Sequence, residues 1–140
     1  MPLSTESTIP VAVYGTLRQG RRWHSLLAAS PFLGAGLTKQ KYALYLAEYP
    51  CVNKDLAISQ IRVEVYLVNE QILENLDELE EHPLVYLREW IPILLDKGDQ
   101  IDAWFYFLPQ ASGRLVPHGD YAQEYHAPSS LDLNDGIKTR

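Results

Sequence analysis

The chain has 140 residues, of which 46% are apolar, and it carries 18 acidic against 12 basic side chains. This length leaves room for one compact domain and excludes a second full one, because single domains run to roughly 100–150 residues. The net charge of −6 argues against nucleic-acid or lipid partners, and the longest apolar runs are too short to span a membrane. We therefore expect a single domain over residues 1–140, with flexible polar tails at 1–7 and 127–140.

Cysteine and histidine usage predicts no metal site. Cys51 is the only cysteine, which favours a reducing, cytoplasmic compartment. It follows Pro50 in an apolar stretch, as expected of a small buried residue rather than a nucleophile. The four histidines share no metal-ligand spacing, and the sequence has no zinc-hydrolase motif.

Three segments of the first half predict β-strands. Ile9–Tyr14 is a short apolar run that Gly15 stops, and Lys41–Leu46 is a further candidate. Ile61–Leu67 alternates apolar and polar residues with a period of two, which is typical of a half-buried strand.

A hairpin is predicted in the second half. Tyr86–Leu95 and Ile101–Leu108 flank the turn sequence DKGDQ at 96–100. Pro92 in the first arm favours an edge position or a bulge, because proline lacks an N–H group for the ladder.

One helix is predicted from Glu70 to about Glu81, capped by Asn69 and stopped by Pro83. At about 100° per residue, four apolar side chains form one buried stripe and three glutamates fall on the opposite, solvated face. The stripe is Ile72, Leu73, Leu76 and Leu79, and the solvated glutamates are Glu74, Glu78 and Glu81.

Glu80 differs from the other glutamates of the helix, because the same arithmetic places it between Leu73 and Leu76. Burial of a carboxyl group raises its pKa towards the range that suits proton transfer, so Glu80 is a candidate general base. Two structural alternatives remain open at this point. Fraying of the helix end could let Glu80 reach water, or Glu80 could form an ion pair with Arg88.

The segment Val13–Gly20 runs from a strand into a turn with glycine at both ends. Exposed N–H groups after a strand form an anion or oxyanion cradle, although such a turn is also a common structural connection. The spacing from Gly15 to Gly20 half matches a nucleotide-binding loop, but Arg21 and Arg22 stand where Lys and Ser/Thr are required. We therefore reject a nucleotide site.

These features together carry a family resemblance. Tyr14-Gly15-Thr16-Leu17-Arg18-x-Gly20, then Leu76-Asp77-x-Leu79-Glu80 and Tyr86-x-Arg88, resemble the γ-glutamylcyclotransferase-like family, especially its short γ-glutamylamine cyclotransferase branch. Further matches are Tyr49-Pro50, Glu64-Val65-Tyr66, Ala103-Trp104-x-Tyr106 and His118-Gly119-Asp120-Tyr121. The likeness covers roughly residues 11–125.

The resemblance implies an α+β fold, a small β-barrel core with short flanking helices, and a pocket between the glycine turn and the glutamate segment. It implies a small γ-glutamyl substrate whose α-amine attacks its own γ-carbonyl, which releases 5-oxoproline without a cofactor. The catalytic acid–base would be Glu80. The implied substrate-binding residues are Tyr14, Gly15, Thr16, Leu17 and Tyr86.

Two positions depart from the family pattern. Val63 and Glu81 stand where relatives often have glycine, and the larger side chain at either position could narrow the pocket or change the direction of the chain near it. Two other functions stay open, a catalytically silent small-ligand binding protein of the same fold and an interaction module that uses the acidic face. Neither the leaving amine nor the oligomeric state follows from these residues.

Overall fold

The computed structural model describes residues 5–18, 20 and 24–124. The strands of this part of the chain are β1 (Ile9–Val13), β2 (Phe32–Leu46), β3 (Pro50–Asn53), β4 (Ser59–Val68), β5 (Leu87–Leu95), β6 (Gln100–Phe107) and β7 (Arg114–Val116). The helices are α1 (Glu70–Glu80), α2 (Tyr121–Glu124) and a short 3₁₀ helix (His24–Leu27). Apart from residues 5–7, which belong to no helix or strand, the predicted tails at 1–7 and 127–140 lie outside the described residues.

Five of the strands close into a barrel in the order β2-β4-β1-β6-β5, and β5 returns to β2. Strand β1 runs parallel to β6, whereas the other neighbours in the ring are antiparallel. Strands β3 and β7 both pair with the last residues of β2 and extend the sheet beside the barrel. The predicted α+β fold with a small β-barrel core is confirmed.

The barrel strands predicted from hydrophobic pattern are present. The segments Ile9–Tyr14 and Ile61–Leu67 form β1 and part of β4, and the predicted hairpin forms β5 and β6. Strand β5 pairs with β2 only over Ile93–Leu95, whereas Pro92 pairs with β6 alone among the described strands. The edge position that Pro92 indicated is therefore confirmed.

Strand β2 is much longer than predicted, because Lys41–Leu46 is only the end of a 15-residue strand. Its first half contains Gly34 and Gly36, and glycine has low strand propensity. Pairing with β4 over most of its length supplies the hydrogen bonds that hold it extended. The short strands β3 and β7 were also missed, since both are made by pairing with β2 rather than by their own pattern.

The predicted cap of helix α1 is confirmed, because the side-chain oxygen of Asn69 accepts a hydrogen bond from the Ile72 N–H at 2.8 Å. The helix ends one residue earlier than predicted. Glu81 leaves it in the left-handed conformation, with φ of 55°, and its N–H donates back to the Glu78 carbonyl. This left-handed residue turns the chain from α1 towards β5.

Strand β1 contributes to two apolar cores, because its side chains alternate between the faces of the sheet. Ala12 lies in the core inside the barrel, and so does Tyr14, which follows the strand, whereas Val11 and Val13 pack outside it against the layer that contains helix α1. In that layer Leu76 is fully buried, and the other three residues of the predicted stripe are partly buried. The C-terminal end of β1 therefore meets the end of helix α1 at the barrel mouth. None of the helices described is long and apolar enough to cross a membrane.

Candidate active site

A small pocket, open to solvent, lies where β1, β3, β6 and the end of α1 meet. One acidic side chain, a run of backbone after β1 and several apolar surfaces line it. The lining residues are Ala12, Val13, Tyr14, Gly15, Thr16, Leu17, Pro50, Glu80 and Tyr106.

One wall of this pocket is the turn that follows β1, residues 15–18. The turn is closed by a hydrogen bond from the Arg18 N–H to the Gly15 carbonyl at 3.0 Å. Within residues 5–18, 20 and 24–124, the N–H groups of Gly15, Thr16 and Leu17 donate to no protein acceptor. Unbonded amides beside a pocket attract a negatively charged ligand group, so the turn has the properties of the predicted anion cradle.

Gly15 has a packing requirement as well. A Cβ atom at this position would collide with Cγ of Pro50, which lies across the pocket at the start of β3. The backbone φ of Gly15 is not in the left-handed region, so the absence of a side chain, rather than backbone freedom, is what the position requires.

Glu80, the last residue of helix α1, lines the same pocket. Its side chain is only 6% exposed, whereas Glu78, two residues earlier, is exposed to solvent. Glu74 and Glu81 are exposed too. The predicted separation of Glu80 from the other glutamates is confirmed, and the alternative in which Glu80 reaches bulk water is not what the structure shows.

The Arg88 guanidinium pairs with Asp77 instead of Glu80. Its Nε and Nη2 atoms donate to the two carboxylate oxygens of Asp77 at 2.8 and 3.1 Å, a fork geometry typical of strong Arg–carboxylate pairs. The Tyr106 hydroxyl donates to the same carboxylate at 2.6 Å. Because Asp77 lies three residues before Glu80 on one side of the helix, these bonds fix the end of α1 against β5 and β6.

Tyr14 forms the base of the pocket and is not free to ionise. Its hydroxyl donates to the Tyr106 carbonyl at 2.9 Å. Burial, reinforced by the nearby Tyr86 and Glu80, raises the pKa of Tyr14 well above its ordinary value. Tyr14 is therefore a neutral wall group at physiological pH.

The structure brings together five of the six residues that the sequence nominated, namely Tyr14, Gly15, Thr16, Leu17 and Glu80. Tyr86 does not line the pocket itself. Its hydroxyl donates to the carbonyl of the lining residue Pro50 at 3.1 Å. Pro50 and Tyr106 were missed as lining residues, although both stand in the shorter motifs that supported the resemblance.

The two departures from the family pattern do not line the pocket. Val63 is fully buried in the barrel core, and Glu81 is exposed at the helix end. Neither side chain therefore narrows the pocket by direct contact.

Cys51 is a buried residue of β3, as predicted, and burial raises the pKa of its thiol. The part of the chain that the structure describes contains no group of three or more His, Cys, Asp or Glu side chains that could hold a metal ion. Arg21 and Arg22, which decided against a nucleotide loop, lie outside the described residues.

The sequence profile of the family described as "Gamma-glutamyl cyclotransferase, AIG2-like" matches residues 11–123. The chain therefore belongs to this family and is an enzyme of the cyclotransferase class. A protein of Methanocaldococcus jannaschii named "Putative gamma-glutamylcyclotransferase" is 47% identical over 112 residues, which cover 79% of this chain and 93% of that protein. The gamma-glutamylaminecyclotransferase A of Danio rerio is 34% identical over 109 residues, 70% of this chain and 68% of its own length.

Solved structures agree on the fold. The crystal structure of a mouse AIG2-like protein superposes with a TM-score of 0.74 at 24% identity, over 89% of this chain and 99% of that one. The crystal structure of a Pyrococcus horikoshii protein gives 0.66 at 24% identity, over 93% and 99% of the two chains.

Proposed function

We propose that this protein releases 5-oxoproline from a γ-glutamyl amine or γ-glutamyl peptide, with Glu80 as the general acid and base. The observation that carries the proposal is that a buried carboxyl group and a turn of unbonded amides line the same pocket. Family membership supports the reaction class, and the two walls of the pocket supply the two groups that this reaction requires.

The first step is removal of a proton from the α-ammonium group of the substrate. Glu80 lines the pocket with most of its surface withdrawn from solvent, so it can contact the ammonium group and accept its proton. Ala12, Val13 and Leu17, which line the same pocket, are buried and apolar, so this part of the lining offers water no hydrogen-bonding side chain.

The second step is ring closure. The neutral α-nitrogen forms a bond to the γ-carbonyl carbon, and the electron pair of the C=O bond moves onto oxygen. The amides of Gly15, Thr16 and Leu17 stabilise that oxyanion or hold the α-carboxylate, since both are negatively charged. Reaction within one molecule needs mainly the correct fold of the glutamyl chain, which a narrow pocket favours.

The third step breaks the bond between the γ-carbon and the leaving nitrogen. Glu80 gives its proton to that nitrogen, the electron pair on the oxyanion re-forms the C=O bond, and the C–N bond breaks. The ring nitrogen gives its remaining extra proton to the Glu80 carboxylate, which passes it to the departing amine or amino acid, so 5-oxoproline remains. No water is consumed and no covalent enzyme intermediate forms. One carboxyl group serves all of these proton transfers, which agrees with Glu80 being the only charged side chain among the described lining residues.

Incubation with γ-glutamyl amines, γ-glutamyl dipeptides and glutathione, with 5-oxoproline as the readout, tests the proposal and identifies the leaving group. Glu80→Gln keeps the shape of the side chain and removes the proton carrier, so turnover should fall about 10²–10⁴-fold. Glu78→Gln is the matched control, since it makes the same change in the same helix on the exposed side.

Full activity of Glu80→Gln would remove Glu80 from the mechanism. Absence of 5-oxoproline with every substrate, together with measurable binding of one of them, would instead support the silent binding protein.

A further inference from the structure

Arg18 is the last residue of the turn 15–18, and its side chain leads away from the pocket. Its Nε atom lies 3.3 Å from Glu64 Oε2, and its Nη1 atom lies 2.8 Å from Asp120 Oδ1. The three side chains are only 12%, 14% and 17% exposed, respectively. Arg18 is absent from the pocket lining, so this cation is directed at the protein and not at a ligand.

Both carboxylates that hold Arg18 are themselves fixed. Glu64 lies within β4 of the barrel, and its other oxygen accepts a hydrogen bond from the Tyr66 hydroxyl at 2.9 Å. Asp120 Oδ1 also accepts from the Ala122 N–H at 3.0 Å. The anchor for Arg18 is therefore rigid on both sides.

Gly119 allows the segment that carries Asp120 to lie on β4. Its φ is +76°, and a Cβ atom there would collide with the Gln60 carbonyl oxygen. The Gly119 carbonyl in turn accepts a hydrogen bond from the Arg62 N–H at 2.9 Å. Asp120, 102 residues away from Arg18 in sequence, is thus brought to the turn by direct backbone contact with the barrel.

We propose that Arg18 is a positioning residue, which holds the turn 15–18 through Glu64 and Asp120 so that the turn amides face the substrate, and that it does not contact the substrate. The inference rests on the proposed function. The Tyr14 hydroxyl anchors the start of the same turn, so the amides between these two anchors have little freedom to move.

The position of these amides matters because an oxyanion forms only in the transition state, and donors must already lie where it develops. A displacement of about 1 Å can lower turnover on the order of 10²-fold. Loss of one anchor should therefore lower kcat more than it changes KM.

The decisive variant is Asp120→Asn. It removes the charge of one of the two carboxylates that contact Arg18 and leaves Arg18 paired with Glu64, so the cation keeps an anionic partner and folding should survive. Asp96→Asn is the matched control, because Asp96 Oδ1 lies 2.7 Å from Arg62 Nη1 in an ion pair that does not touch the turn. Arg18→Lys tests the need for two simultaneous contacts, since an ammonium group cannot fork between both carboxylates.

Three quantities should be measured for each variant: kcat and KM by 5-oxoproline release, the melting temperature, and the NMR order parameters of the amides of residues 15–17. Asp120→Asn should lower kcat about tenfold to hundredfold, leave KM within about threefold, and reduce the order parameters from about 0.85 towards 0.6. Asp96→Asn should leave all three near the native values. Arg18→Lys should lie between Asp120→Asn and the native protein in kcat.

Native kcat and native order parameters in Asp120→Asn would overturn the proposal. A rise of KM alone in Arg18→Lys, with rigid amides, would also overturn it and assign Arg18 to the substrate. If the unmodified protein turns over no γ-glutamyl compound, the proposed function fails, while the order parameters still decide whether Arg18 and Asp120 hold the turn.

Discussion

Substitution of Gly15 by alanine tests how closely the turn and β3 must approach. The added Cβ atom would penetrate the contact distance to Pro50 Cγ by about 1 Å, given that carbon atoms pack at about 3.5–4.0 Å. Pro50 cannot yield freely, because it is buried and its carbonyl accepts the hydrogen bond from the Tyr86 hydroxyl. Overpacking of this kind costs about 1–3 kcal/mol.

At about 4 °C per kcal/mol for a chain of this size, the melting temperature of Gly15→Ala should fall by about 4–12 °C. Turnover should fall as well, on the order of 10²-fold, because either the turn amides or the Pro50 wall must move by about 1 Å. Thermal melting and 5-oxoproline release measure the two effects on the same preparation.

The companion variant Pro50→Ala tests whether the contact with Pro50 causes the loss of stability. Removal of the proline ring takes away the atom that the new Cβ meets, so Gly15→Ala combined with Pro50→Ala should be more stable than the sum of the single effects. A coupling energy of about 1 kcal/mol or more is expected for groups in direct contact. Strict additivity, or an unchanged melting temperature in Gly15→Ala, would show that the predicted collision is relieved elsewhere.

Three further predictions concern the surroundings of the pocket. Asp77→Asn should lower the free energy of unfolding by about 2 kcal/mol, because it breaks the partly buried two-point contact with Arg88, and it should lower kcat because the end of α1 loosens. A native melting temperature together with a native kcat would contradict the anchoring role of Asp77. Glu81→Gly should be at least as stable as the native protein and Glu81→Val clearly less stable in thermal melts, since φ is 55° there and the left-handed region costs a residue with a side chain roughly 1–2 kcal/mol. Burial raises the pKa values of Tyr14 and Tyr106 above the ordinary value of 10, so the unfolded chain releases these protons at a lower pH than the folded protein does. The contribution of the two groups to the free energy of unfolding is complete below about pH 10 and should be lost as pH rises further. Chemical unfolding measured from pH 8 to 11 without such a decline would contradict this.

The helix could be predicted because its determinants are local. The Asn69 cap needs only a neighbour three residues on, and rotation by 100° per residue is enough to separate Glu80 from Glu78. The turn after β1 was recognised for a similar reason, since glycine residues and a preceding apolar run are visible within one short segment.

The other wall of the pocket could not be predicted in this way. Pro50 reaches the pocket because β3 pairs with the end of β2, and Tyr106 reaches it because β6 lies beside β1. No sequence pattern near Pro50 or Tyr106 indicates either strand pairing. The hydrophobic pattern of β2 did not indicate the full length of that strand either. These contacts join residues that are 32 or more positions from the turn, so only the closed barrel defines them.

The two acids on one face of helix α1 show how pairing between distant strands assigns a role to each carboxylate. Asp77 and Glu80 are three residues apart, and from sequence either could have received the Arg88 cation. Arg88 stands directly opposite Tyr106 in the ladder between β5 and β6, so the guanidinium and the phenol converge on the same carboxylate, that of Asp77.

A shift of β5 by one residue along β6 would send the Arg88 side chain to the other face of the sheet, away from Tyr106. The register of the hairpin therefore determines that Arg88 pairs with Asp77 and anchors the helix. Glu80 is left as the acid that lines the pocket together with the turn 15–18, as the proposed proton carrier would require.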